Sequence, residues 1–171
     1  MWRLRGCLHR IALVLAVFCG LALSSTDGWA RTWELSELGI RFATPEGFEK
    51  VPNEQRTSAL ELFNPKKNCE LVVSTGLSEK LSLTAFQDSF PNWVKSEKGT
   101  IAHRATLPAG QGSAVAFVVT GLAPERVESI YVYVVPPKGL PFSLIANYPA
   151  EQRKQTLGWL ESLVGGLRYG L

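Results

Sequence analysis

The sequence predicts an α+β fold built from an antiparallel sheet flanked by helices. Two patterns lead to this prediction. Short segments with the two-residue period of strands follow one another between turn residues, and two amphipathic segments have the 3.6-residue period of helices. The 171-residue chain is 46% hydrophobic and 19% charged, which is typical of a globular protein and excludes a disordered, collagen-like or coiled-coil chain.

The amino terminus has the features of a cleaved export signal. Three arginines in the first ten residues precede residues 11–25, an uncharged apolar run that is shorter than the about 20 residues of a membrane span. Small residues, Gly28 and Ala30, precede a plausible cut after Ala30. We therefore predict a signal peptide at residues 1–30, a single domain at residues 31–171, and a periplasmic or secreted location.

Two other topologies remain open from the sequence. The apolar run is an amino-terminal membrane anchor if it stays uncleaved, and a lipoprotein signal would acylate Cys19, although Phe18 stands where such signals have a small residue. Cleavage leaves Cys69 as a lone cysteine that cannot form an intramolecular disulfide. Because Cys69 shares strand parity with Leu71 and Val73, we expect it to be a small buried hydrophobe; the alternative is an intermolecular disulfide or a reactive thiol.

The predicted mature chain is almost neutral. Three arginines and one aspartate lie in the signal, so 15 of the 18 basic and 14 of the 15 acidic residues remain. The longest run of like charge is the pair Lys66 and Lys67, which we expect at an exposed loop tip. Nucleic-acid binding and anionic-membrane steering both need a basic face, so we expect neither.

The first half of the mature chain contains four strand-like segments, at residues 32–38, 39–43, 58–63 and 69–75. A turn is expected at residues 44–47, because Pro45 presets φ and Gly47 tolerates a positive φ. The polar loop at residues 64–68 separates the last two segments and predicts a hairpin.

The first helix is predicted to begin at Ser82, whose hydroxyl can cap a free backbone N–H. Its apolar stripe consists of Leu83, Phe86, Phe90, Trp93 and Val94. Pro91 interrupts the helix and predicts a kink or a restart in which Ser89 caps a second segment. Because Trp93 lies on the stripe, core packing is favoured over a ligand-stacking role.

The second half predicts an antiparallel meander of four strands, at residues 100–107, 113–121, 126–135 and 140–148. Residues 114–119 and 130–135 are apolar at every phase, which is typical of central strands covered on both faces. Residues 136–141 contain three prolines and are expected to form a connector outside the sheet.

The closing helix is predicted to begin near Pro149 and to end at Gly165-Gly166. Its apolar residues are Leu157, Leu160, Leu163, Val164 and Leu167.

Catalytic and metal-binding motifs are missing from the mature chain. It contains one histidine, His103, and one aspartate, Asp88, and it has no G-x-S-x-G element to supply a nucleophile. A lone Cys69 and a lone His103 lack the paired spacing of zinc sites, and residues 110–112 lack the lysine of a phosphate loop. We therefore predict no catalytic, cofactor-binding or metal-binding residues and no cofactor, and we expect His103 to be an ordinary strand histidine.

Glutamates leave one enzymatic alternative open, a hydrolase with two facing carboxylates. The glutamates within strand-like segments occupy polar phases of those segments: Glu34, Glu61, Glu70 and Glu128. The sequence therefore favours a non-enzymatic protein over this hydrolase.

Aromatic residues near the end of the meander provide the basis for a binding role. Tyr131 and Tyr133 share one face of a strand, and Phe142 and Tyr148 share parity at the two ends of the next strand. Such a cluster can bind a ligand or partner at one end of the sheet, or it can pack beneath a helix, which we favour.

Residues 38–48, LGIRFATPEGF, resemble the entry of the PsbP-like family, in which an aromatic strand runs into a proline and glycine turn. The order of strands and helices and the closing 157–167 helix are also similar to this family, over nearly the whole mature chain. The resemblance implies an α/β/α sandwich around an antiparallel sheet. Proteins of this family are exported bacterial proteins, mostly of unassigned role, and photosystem accessory subunits, so it implies no active site.

Together these observations predict a non-enzymatic envelope protein that binds a partner protein or a small ligand through one end or face of its sheet. The alternatives are the glutamate-based hydrolase and a domain tethered to the membrane by an uncleaved signal.

Overall fold

A computed structural model describes residues 29–52, 58–75, 81–122 and 126–170. Nearly all of the predicted signal peptide, including Cys19, lies outside these ranges. None of the helices in these ranges has the length and apolar character that crossing a bilayer requires.

The first half of the chain contains five strands and a helix: β1 (Trp29–Leu35), β2 (Ile40–Pro45), β3 (Glu49–Lys50), β4 (Leu60–Asn64), β5 (Cys69–Ser74) and α1 (Leu83–Ser96). The predicted turn before β3 is present, with Gly47 at a φ of 91°. The predicted hairpin is confirmed, because β4 pairs with β5 in antiparallel register from Leu60 opposite Val73 to Asn64 opposite Cys69.

The second half contains the meander and the closing helix: β6 (Thr100–Ala109), β7 (Gly112–Thr120), β8 (Val127–Val135), β9 (Phe142–Pro149), a 3-10 turn (Ala150–Gln152), α2 (Arg153–Gly165) and β10 (Arg168–Tyr169). The predicted meander is confirmed, because each of these four strands pairs with the next in antiparallel orientation. The sequence analysis missed β3 and β10, which have only two residues each.

The described strands form two sheets. The larger has seven strands in the order β3-β4-β5-β9-β8-β7-β6, and the smaller has three in the order β1-β2-β10. One face of the large sheet packs against α1, around Phe86, Phe90 and Tyr133. The other face packs against α2 and the small sheet, around Phe42, Leu160 and other buried residues. The predicted α+β class, an antiparallel sheet flanked by helices in an α/β/α sandwich, is therefore confirmed.

The two central strands of the meander are buried on both faces, as predicted. Residues 114–119 of β7 are all buried, and most residues of β8 are buried as well. Both sides of these strands are covered because α1 lies above them and α2 with the small sheet lies below.

The predicted restart in the first helix is wrong. Ser82 caps α1 by accepting a hydrogen bond from Ala85 N at 3.1 Å, as expected, but the helix continues through Pro91 to Ser96. Ser89 is not a cap, because its hydroxyl donates to Ala85 O at 2.8 Å. Proline costs a helix interior about 3 kcal/mol. Buried Phe86 and the other apolar residues that follow it hold both halves of α1 on the sheet and offset this cost.

The closing helix packs as expected, with two differences. Buried Trp159 belongs to its core face, where it lies 5.5 Å from the ring of Phe48, and the sequence analysis did not include it. Leu167 is buried but lies beyond the end of α2, which ends at Gly165 as predicted.

Candidate functional site

Helix α1 covers only part of the large sheet, because it packs mainly on β6, β7 and β8. The adjoining area on the same side is half-exposed and is called the open face. It consists of seven residues: Glu61, Phe63, Glu70, Val72, Tyr131, Ile145 and Asn147.

Strand pairing arranges the open face in two rows that cross the strands. In the first row Glu61 is opposite Val72, and Val72 is opposite Ile145. Ile145 in turn pairs with Tyr131 of β8, which lies beside α1. The second row runs from Phe63 through Glu70 to Asn147. The face is therefore four strands wide, which corresponds to about 14 Å at the usual strand spacing.

A chain of hydrogen bonds holds the polar row in place. Ser129 Oγ donates to Asn147 Oδ1 at 2.7 Å, and Asn147 Nδ2 donates to Glu70 Oε2 at 2.7 Å. In the other row, Ser58 Oγ donates to Glu61 Oε1 at 2.6 Å. Both carboxylates therefore have a defined position above the sheet.

Aromatic rings form the boundary between the open face and α1. The ring of Trp93 meets Tyr131 edge-on at 5.8 Å, and Phe90 lies 5.1 Å from Tyr131. Burial raises the pKa of the Tyr131 hydroxyl above its ordinary value. The expected core position of Trp93 is wrong, because 37% of the residue is exposed. Trp93 lies at the flank of the apolar stripe, where the helix surface turns away from the sheet.

The four aromatic residues predicted to cluster are divided between the two faces of the sheet. Tyr133 packs beneath α1, stacked on Phe86 at 4.1 Å with its hydroxyl donating to Leu81 O. Phe142 and Tyr148 belong to the core on the opposite side. The predicted cluster of four is wrong because Tyr133 pairs with Ser143, which places Phe142 on the other face. The favoured interpretation, packing beneath a helix, holds for Tyr131 and Tyr133.

Glu128 lies on the face opposite to the open face and is buried, contrary to its predicted polar position. Its carboxylate accepts bonds from both Arg153 Nε at 2.7 Å and Arg153 Nη2, and from Tyr148 Oη at 3.1 Å. The hydrogen bonds from Arg153 lower the pKa of Glu128 despite its burial. The ion pair between Glu128 and Arg153 attaches the beginning of α2 to the open end of the β8–β9 hairpin, where β8 begins and β9 ends, so its role is structural.

The remaining candidate residues lie on separate elements of the fold. His103 is exposed on the edge strand β6, as an ordinary strand histidine, and Asp88 is exposed on α1. Residues 110–112 form the turn between β6 and β7, as predicted. Cys69 is buried as expected, and burial raises the pKa of its thiol to about 12. Among the residues that the structure describes, no three histidine, cysteine or acidic side chains are grouped to hold a metal ion.

Comparison with known proteins supports the fold through structures and not through sequence. No protein-family profile matches the chain, and no curated protein matches it. Cyanobacterial PsbP (CyanoP) from Synechocystis sp. PCC 6803 matches with a TM-score of 0.56 at 11% identity, over 86% of this chain and 99% of that one. The chain has a PsbP-like fold.

Two further solved structures share this PsbP-like fold. The Ran-binding protein Mog1p of Saccharomyces cerevisiae matches with a TM-score of 0.57 at 14% identity, over 81% of this chain and 94% of that one. LpqN of Mycobacterium tuberculosis, described as involved in cell envelope biogenesis, matches with a TM-score of 0.54 at 12% identity, over 77% of this chain and 83% of that one. The resemblance found in residues 38–48 is thus confirmed at the level of the fold.

Proposed function

We propose that this chain is a non-enzymatic, exported envelope protein that binds a partner protein through the open face. The observation that carries the proposal is a half-exposed sheet surface with exposed aromatic residues at both ends, Phe63 at 36% and Trp93 at 37% exposure. Exposed aromatic and apolar residues beside polar ones are typical of protein interfaces.

The descriptions of the similar structures agree with this proposal. One is a Ran-binding protein, and another is involved in cell envelope biogenesis. At identities of 14% and 12% they share a fold with this chain, so the proposal rests on the open face itself.

Site-specific photocrosslinking tests the binding role. A benzoylphenylalanine at position 93 would lie at the α1 boundary of the open face, and the same residue at Glu161, exposed on α2, is the matched control on the other side of the molecule. We expect a discrete adduct with one protein in intact envelopes from position 93 and not from position 161. Identical adducts from both positions, or none from position 93, would contradict the proposal.

The export step is tested separately. Strand β1 begins at Trp29, so the predicted cut after Ala30 would leave a strand that starts at Arg31, which pairs with Thr44. Amino-terminal sequencing of the protein from the periplasmic or secreted fraction should find Arg31 first. An intact amino terminus in the membrane fraction would instead support the tethered alternative.

The glutamate-based hydrolase receives less support from the geometry. That alternative requires two glutamates that face each other in a cleft, one with a raised pKa. Glu61 and Glu70 are neighbours on the open face, but both are half-exposed and hydrogen-bonded to Ser58 and Asn147. Glu128 is the buried glutamate among the described residues, and it pairs with Arg153 and has a lowered pKa.

A small ligand is the second binding candidate, since an open cleft of about 410 Å³ lies between the β6–β7 turn and β10.

A further inference from the structure

The open face is acidic as well as apolar. The four strands that form it, β4, β5, β8 and β9, contain no lysine, arginine or histidine. Glu61 and Glu70 lie on the open face, whereas Glu128 lies on the opposite face and is paired with Arg153. At the edge, Glu49 pairs with Phe63 and adds a third carboxylate to this side.

Most cations of the neighbouring described elements are placed elsewhere. The exception is Arg104 of β6, which shares this side of the sheet but lies beyond Tyr131, where it pairs with Phe117 and its guanidinium is 5.5 Å from the Phe117 ring. Lys50 of β3 pairs with Leu62, so it belongs to the opposite face of the sheet. Lys95 of α1 follows Trp93 by two residues, so its side chain is about 200° round the helix from Trp93 and lies on the flank away from the open face. Lys66 and Lys67 lie in the turn beyond the ends of β4 and β5. Among the described residues, the end of the open face around Glu61 and Glu70 therefore carries an excess of negative charge, and Arg104 lies five strand spacings away from Glu61.

Given the proposed function, on which this inference rests, we infer that the partner presents a basic and apolar segment to the open face. Glu61 and Glu70 are diagonal neighbours on paired strands, and such positions are about 7 to 8 Å apart. Lysine or arginine residues at alternate positions of an extended segment are about 6.6 Å apart, which matches this spacing. Apolar residues that continue the same alternate positions of the partner segment then reach Val72, Ile145 and Tyr131.

A synthetic peptide of about eight residues, long enough to cross the open face in extended form, is the probe. Its even positions are two lysines followed by two leucines, and its odd positions are serines. The control peptide has glutamates in place of the lysines. Fluorescence anisotropy of the labelled peptides measures binding at low and high ionic strength.

Two protein variants with the same change in charge separate the open face from general electrostatics. Glu61→Gln/Glu70→Gln keeps side-chain hydrogen bonding, and we expect it to weaken binding of the basic peptide about tenfold. Glu37→Gln/Glu161→Gln changes two exposed glutamates elsewhere and should leave the affinity almost unchanged. Binding should also weaken at high ionic strength, because salt screens exposed charges.

Each other outcome overturns the inference. Equal binding of the two peptides, equal effects of the two variants, or no binding of the basic peptide would show that the open face does not select a basic segment. Concentration-dependent dimerisation that Trp93→Ala abolishes would identify a second copy of the chain as the occupant. A failed peptide experiment together with a discrete adduct from position 93 would reject only the basic partner and leave the proposed function standing.

Discussion

Replacing Arg153 by methionine would leave the carboxylate of Glu128 buried without its cation. In the native structure Glu128 is 6% exposed and receives two hydrogen bonds from Arg153 and one from Tyr148. Breaking a buried ion pair by removing one partner costs about 3 to 5 kcal/mol. The Arg153 side chain is 44% exposed, and water reaches the pair, so we expect a loss below this range, about 2 to 3 kcal/mol.

The pH dependence of this loss identifies its cause. Because Arg153 holds the pKa of Glu128 below its ordinary value of 4.5, the pair stabilises the fold above that pH. This stabilisation is lost as the pH falls through the lowered pKa. In Arg153→Met, burial would raise the pKa of Glu128, and protonation would relieve the buried charge in mild acid. The difference in stability between the two proteins should therefore narrow from neutral pH towards about pH 4.

Urea unfolding at several pH values measures the loss of stability and its pH dependence, with Lys154→Met as a control for loss of a neighbouring exposed charge. Thermal unfolding at neutral pH is a second measurement, in which the midpoint of Arg153→Met should fall by about 6 to 10 °C. A loss below about 0.5 kcal/mol, or one that is the same at every pH, would refute the assigned role of the pair.

Four smaller predictions concern single side chains elsewhere in the fold. Burial raises the pKa of the Cys69 thiol to about 12, so Cys69 should react with a thiol reagent at neutral pH only after the protein unfolds. Equal reaction rates in the folded and unfolded protein would contradict its burial. Ser143 Oγ is buried without a hydrogen-bond partner among the described residues, so Ser143→Ala should leave the melting temperature unchanged or raised. Ser129→Ala removes the hydrogen bond to Asn147 and should lower the free energy of unfolding by about 1 kcal/mol. If Ser143→Ala were instead the less stable of these two variants, the difference in hydrogen bonding between the two serines would be wrong. Ser82→Ala should lower it by about 1 kcal/mol through loss of the α1 cap, as read by thermal unfolding, whereas no change would mean that the cap contributes nothing.

The incorrect predictions at Pro91 and Trp93 have a common origin. Helical periodicity indicates which residues of α1 point towards the sheet, but not how firmly the sheet holds them or how wide the covered area is. Packing on the sheet carries the helix through Pro91. The covered area ends before Trp93, which is therefore half-exposed at the flank of the stripe.

Glu128 shows a similar limit in a strand. It has the same parity as Ile130 and Val132, which indicates an inward position, but β8 is apolar on both faces and alternation then gives no clear direction. The partner that makes its burial tolerable, Arg153, comes from the next helix. No local pattern relates the two residues.

By itself the sequence determined the longer strands, the turns, the capped start of α1 and the order of the meander. These features depend on alternation and turn chemistry within a few neighbouring residues. Only the tertiary structure decided that β5 pairs with β9 and that α1 leaves the open face uncovered. The bond from Asn147 to Glu70 joins residues 77 positions apart. Such contacts depend on how whole strands and helices pack together, and local sequence periodicity carries no information about that packing.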